Sequence, residues 1–183
     1  MRTFIRRVVG AARLDANTYE EVEADPSATI QALVVVILSS IAAGIGVSGL
    51  SDDAPVSFFA GTAFLALMAW VAWALVMYAV GALIMPTTDT RTDVGELLRT
   101  LGFAASPGLL QVLGVIPGMR TGVFAVIAIW TLVATVVAVR QALDFKSTGR
   151  AIVVCALGWA LSLGMAVVLG LAFGPTLLGS IGR

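Results

Sequence analysis

The sequence contains no histidine and one cysteine, and only 12% of its 183 residues are charged. Without histidine, the commonest general base and the commonest metal ligand are both missing. The lone Cys155 excludes an intramolecular disulfide, and its place in an apolar run marks it as a small packing residue rather than a reactive thiol. Eleven basic and eleven acidic residues cancel, so no bulk charge points to nucleic acid or to an oppositely charged partner. These absences argue against an enzyme, and no cofactor, metal or nucleic-acid partner is expected.

What the sequence does have is apolar length. Hydrophobic residues make up 59% of it, and its mean hydropathy is +1.00, far from the mixture of a soluble domain. The expectation is an all-α, polytopic membrane helix bundle with five spans at about 28–50, 56–85, 97–116, 123–139 and 151–173, each near the roughly 20 residues a bilayer needs. The start, MRTFIRRVVGAARLDA, has adjacent arginines but an apolar stretch too short for a secretion signal, so it is kept in the mature chain.

Residues 1–27 read as a cytoplasmic segment ahead of a transmembrane domain at 28–183. Phe4, Ile5, Val8 and Val9 fall at helical spacing, with Arg2, Arg6, Arg7 and Arg13 among the other positions. This is the pattern of a short helix on a membrane surface, drawn by anionic headgroups as well as by apolar burial, though it also fits a helix packed on its own protein. The charge then reverses in LDANTYEEVEADPSAT. Thr18 and Glu21 have capping-box spacing and predict a helix from Tyr19, while Asp25 before Pro26 predicts the start of the next. Tyr19, Glu20, Glu21, Glu23 and Asp25 form a candidate partner face. Its carboxylates lack the turn glycine and ligand alternation of a calcium loop and read as a solvated surface.

The third span, LRTLGFAASPGLLQVLGVIPG (98–118), holds the residues least suited to a continuous helix. Pro107 lacks an N–H and crowds the preceding turn, so a kink or break is expected at Ser106-Pro107-Gly108. Carbonyls freed near Gly102 and Phe103 would need Ser106, a neighbouring helix or water, which places the segment inside the bundle. Gln111 beside the break is the best candidate for a ligand contact, but the expectation is that it links helices. Gly44, Gly46 and Gly49 predict close contact late in the first span, the turn 51–55 closes it, and Gly170 and Gly174 form a GxxxG pattern in the fifth.

Nine of the eleven Lys and Arg residues fall on one side of a five-span arrangement and two, Arg120 and Arg183, on the other. The positive-inside rule then puts the N-terminus in the cytoplasm and the C-terminus outside. If 98–118 re-entered instead of crossing, the split would be eight to three, and five spans are preferred. With Arg99 counted among the cytoplasmic charges, no Asp, Glu, Lys or Arg lies within the spans, which argues against a pump.

The stretches RLDANTYEEVEADPSATIQAL (13–33), LLRTLGFAASPGLL (97–110) and VAVRQALDFKSTGRAI (137–152) carry a resemblance to the bacterial branch of the Yip family, the Ypt/Rab-interacting proteins. The resemblance covers nearly the whole chain and implies a five-span protein of the bacterial inner membrane with a cytosolic N-terminus. Eukaryotic members are implicated in binding prenylated Rab-type GTPases, in early secretory traffic and in membrane shaping. This sequence lacks the Asp-Leu-Tyr-Gly-Pro stretch they carry before the first span. The leading expectation is a non-enzymatic scaffold or adaptor whose partners are the lipid bilayer, including anionic lipids, and another membrane protein or a second copy. The alternatives are a small pore for a neutral solute and an accessory subunit of a larger membrane complex.

Overall fold

A computed structural model describes residues 2–48, 56–88 and 90–181. Every regular element among them is helical: α1 (Arg2–Ala12), α2 (Ala16–Ala24), α3 (Ala28–Ser48), α4 (Val56–Tyr78) running into a π-helical turn (Ala79–Ile84), α5 (Val94–Ala104) followed by a 3-10 helix (Ser106–Val115), α6 (Arg120–Ala142) and α7 (Thr148–Ile181). Four stretches are long and apolar enough to cross a membrane: Ala28–Ser48, Ser57–Ile84, Arg120–Ala142 and Thr148–Met165. Large apolar side chains on their outer faces, such as Phe64, Leu65, Ile129 and Leu163, are exposed. That surface is costly in water and compatible with hydrocarbon, so the molecule is an all-α membrane bundle.

The helix ends differ from the sequence reading in informative ways. Hydropathy marks the apolar middle of a helix and misses its hydrogen-bonded ends, so α6 overruns 123–139 at both ends and α7 extends beyond 151–173. The helix expected from Tyr19 starts earlier, at Ala16. Asp15 is its N-cap, accepting the Asn17 N–H at 3.2 Å and the Thr18 hydroxyl at 2.8 Å, and the Thr18–Glu21 box does not form because Glu21 is held by arginines. Asp25 accepts the Ser27 N–H at 2.9 Å and the Ser27 hydroxyl at 2.7 Å, and α3 begins just after it. At α5 both halves of a capping box are present, with the Glu96 N–H on Asp93 at 2.8 Å and the Asp93 N–H on Glu96 at 3.0 Å. The turn at 51–55, the end of the first span at 49–50 and the surroundings of Gly170 and Gly174 lie outside what is described.

The bundle has a proximal end, where α3, α5 and α7 begin and α6 finishes, and a distal end where α3 finishes and α6 begins. α5 and the 3-10 helix follow α3 from one to the other. Gly102 lies against Ala32, the Ser39 hydroxyl donates to the Ala105 carbonyl at 2.9 Å, and Gly114 lies against Gly46 near the distal end. Where the helix type changes, the Ser106 hydroxyl donates to the Phe103 carbonyl at 2.6 Å, and Ser106, Pro107 and Gly108 are buried. A proline ends the α ladder here: the Ser106 hydroxyl takes up the Phe103 carbonyl that a residue-107 N–H would have served, and Ser39 adds a second donor to the Ala105 carbonyl, which also accepts the Gly108 N–H at 2.8 Å.

Candidate functional site

The polar chemistry is concentrated at the proximal end, where α1 and α2 dock onto the bundle. α1 and α6 both finish with a left-handed residue, Leu14 (φ 63) and Asp144 (φ 52). In each case an N–H reaches back over the last turn, Asp15 to the Gly10 carbonyl and Phe145 to that of Arg140. Side chains from elsewhere take up further carbonyls. Tyr19 donates to Ala11 at 3.1 Å, Trp130 to Ala12 at 2.7 Å, Arg99 to Glu23 at 2.6 and 3.0 Å, and Arg150 to Met85 and Pro86 at 3.1 and 3.0 Å. The helix ends, which would otherwise leave orphan acceptors, are thereby tied into one platform.

The residues expected on the surface of α1 divide into two groups. Arg7 is 5% exposed; its Nε donates to Glu21 at 2.9 Å, Nη2 to Asp25 at 2.7 Å and Nη1 to Gln31 at 3.2 Å. It is therefore corrected from a membrane contact to an internal clasp joining α1, α2 and α3. Phe4 packs edge-on against Phe103 with centroids 6.5 Å apart, and Val8 is half-buried beside the core. Arg2, Ile5, Arg6, Val9 and Arg13 remain exposed. Since Gln31 is on the first turn of α3 and Phe103 is next to Gly102, α1 lies level with the start of the first span.

The candidate partner face divides as well. Tyr19 is fully buried, which pushes its phenol up, so it is corrected from a surface residue to a core one. Glu21 and Asp25 belong to the Arg7 clasp. Hydrogen bonds from Arg6 and Arg7 hold Glu21 below its ordinary value, and those from Ser27 and Arg7 hold Asp25 at about 2. Glu20, which accepts from Gln141 at 2.8 Å, and Glu23 line a cavity of about 520 Å³ with Glu96, Arg140, Asp144 and Lys146. The last four are separated from Glu20 and Glu23 by whole spans, and no spacing in the sequence joins them.

Burial, with Asp144 and Glu96 close by, raises Glu23 to about 7, against a smaller opposing effect from Arg99. A carboxyl raised in the folded state binds its proton more tightly there than in the unfolded chain. The folded state is therefore favoured below the ordinary carboxylate range and loses that advantage as pH rises through about 7. Glu23→Gln should raise thermal stability in detergent at pH 8 and change little at pH 5. Asp25 acts in the opposite sense: its contribution is present above its ordinary value and is lost as pH falls toward 2.

No group of three acidic, histidine or cysteine side chains among the described residues is close enough to hold a metal. The proximal end offers a basic apolar face and an acidic cavity on one docked platform. Such an arrangement, at the end of a bundle of long apolar helices, belongs to an integral membrane protein with a folded platform at one end. The family model described as Yip1 domain matches residues 15–179, most of the chain, and the protein belongs to that family. No curated protein and no solved structure matches it.

Proposed function

We propose that this Yip-family protein is a non-enzymatic scaffold or adaptor. In this reading it crosses the bacterial inner membrane five times, N-terminus inside and C-terminus outside, and its proximal platform meets anionic lipid with one face and a protein partner with the other. The observation carrying this reading is the division of α1: Phe4, Arg7 and Val8 face the protein, while Ile5 and Val9 stay exposed among Arg2, Arg6 and Arg13. Two large apolar residues exposed one turn apart within a basic face are what an interfacial helix presents to anionic lipid. The acidic cavity faces the cytoplasm in the same orientation and would take a basic segment of a partner.

Five spans are supported by the course of the third segment. Its contacts with α3 run from Ala32 to Gly46, parallel to a helix that crosses, whereas a re-entrant loop would turn back. Eleven α residues and ten 3-10 residues extend about 36 Å at about 1.5 and 2.0 Å each, enough for a hydrocarbon core of about 30 Å.

Single cysteines at Ile5 and Ser147 on a Cys155→Ser background test both parts. An environment-sensitive dye at position 5 should shift to shorter wavelength in nanodiscs containing anionic lipid and much less in neutral ones. In intact cells, position 147 should be closed to an impermeant thiol reagent. An equal dye shift in both lipids would remove the anionic-surface reading, and labelling of position 147 from outside would remove the five-span one.

A further inference from the structure

We propose that Glu23 is a proton-operated latch on the acidic cavity: uncharged, it lets the last turn of α2 lie closed against α5 and the end of α6, and charged, it drives that turn away and opens the cavity. Its use in admitting a partner rests on the cavity being the partner-facing side of the platform; the latch itself follows from how α2 is built. The carboxylates of α2 and its C-cap occupy two faces. Glu21 and Asp25, four residues apart, turn toward α1, where Arg6 and Arg7 pair with them at 2.7 to 2.9 Å. Glu20 and Glu23, three apart, turn into the cavity between α2, α5 and the end of α6. Among the described residues neither of these forms an ion pair. Glu20 accepts from the neutral Gln141 at 2.8 Å, and the Glu23 carboxyl makes no hydrogen bond.

The surroundings of Glu23 make its charge costly. From α5 come Glu96 and Arg99, from the end of α6 Arg140 and Asp144 with Lys146 after it, and from α2 itself Glu20; α1 presents Arg6 and Arg7 to the opposite face. The Arg99 guanidinium is engaged by the Glu23 carbonyl at 2.6 and 3.0 Å, and Arg140 Nε by the Phe145 carbonyl at 3.2 Å. The two facing carboxylates are fixed in place. Glu96 accepts the Asp93 N–H at 3.0 Å, and Asp144 sits in the left-handed turn that ends α6 and accepts the Arg91 N–H at 3.4 Å. Repulsion is therefore relieved by moving α2, which among the described residues is held across the cavity by only two polar contacts, Gln141 to Glu20 and Arg99 to the Glu23 carbonyl. Burial, then Asp144 and Glu96, keep the proton on Glu23 up to about pH 7, so the latch works near neutrality. An opened Glu23 would ionise at its ordinary 4.5, and the closed form therefore loses ground by roughly 70-fold between pH 5 and pH 8.

Spin labels on cysteines at Ala24 and Ser147, on a Cys155→Ser background in phosphatidylcholine nanodiscs, report across the cavity, which Ala24 and Lys146 line. The interspin distance should lengthen between pH 5 and pH 8. Glu23→Gln should keep the short distance at both, and Asp144→Asn should reduce the change, since asparagine tolerates the left-handed conformation there and only the charge is lost. A wild-type distance that ignores pH, or a change that persists in Glu23→Gln, would overturn the latch. Fluorescent hexalysine, added to the same neutral nanodiscs, tests the partner separately. It should bind wild type more tightly at pH 8 than at pH 5, and Glu23→Gln should remove the difference. A cavity that opens at pH 8 yet takes no hexalysine would uphold the latch and overturn the basic-partner reading alone.

Discussion

Arg7→Ala should cost about 3 kcal/mol of folding stability, near the low end for breaking a buried ion pair because Glu21 and Asp25 are each about a third exposed and can take up water. The guanidinium reaches three acceptors, Glu21 on α2, Asp25 at its C-cap and Gln31 on α3, and these contacts are lost together. Arg7→Lys should lie between the two, since a point charge cannot span Glu21, Asp25 and Gln31 as a planar fork does. Thermal unfolding in detergent supplies the ranking, and amide exchange gives the location: α1 and α2 should lose protection first and the distal half of α3 last. Arg2→Ala and Arg13→Ala remove exposed charges and should stay within about 0.5 kcal/mol. If Arg7→Ala behaved like Arg13→Ala, the docked platform would be wrong, and with it the two-faced α1 on which the lipid and partner surfaces depend.

The buried role of Arg7 shows where a linear reading stops. Four arginines alternate with apolar residues along α1, and helical spacing alone gives them equal standing. The distinction comes from carboxylates 14 and 18 positions away, brought close only when α2 folds back. Tyr19 fails for a similar reason: placed among carboxylates it reads as surface, yet it is held in the core by Ala11. The apolar helices were legible because a bilayer demands long uninterrupted hydrophobic runs, which leave a signal no packing detail erases. The Asp93–Glu96 box was legible because both partners lie within one turn. At Thr18–Glu21 the same motif misled, since a stronger cap stood three residues earlier and the arginines of α1 claimed Glu21. Pro107 announced a change of helix type, but only the contacts with α3 show which serines satisfy the carbonyls around it.

Gly102→Ala and Gly46→Ala should each cost about 3 kcal/mol or more, at the upper end for overpacking, because the atoms they meet belong to backbone or sit on it. A Cβ at 102 would stand 2.6 Å from Ala32 Cβ and 3.2 Å from the Ala32 Cα and carbonyl oxygen. At 46 it would fall on the Gln111 carbonyl oxygen and within 3.1 Å of the Phe124 ring. Neither obstacle is the end of a flexible chain, so relief requires α3 to separate from α5 or from the 3-10 helix. Gly61 and Gly164 are the controls: nothing lies within 4 Å of a Cβ at either, and alanine there should be neutral or stabilise by up to about 1 kcal/mol through helix propensity. The pair also tests topology, because Gly102 and Gly46 are the two ends of the contact along which the third segment follows α3. Loss of stability at both positions is expected of a segment that crosses beside α3. Sensitivity at Gly102 with tolerance at Gly46 would mean that the 3-10 helix does not reach the distal end, and the third segment would then be a re-entrant element rather than a span.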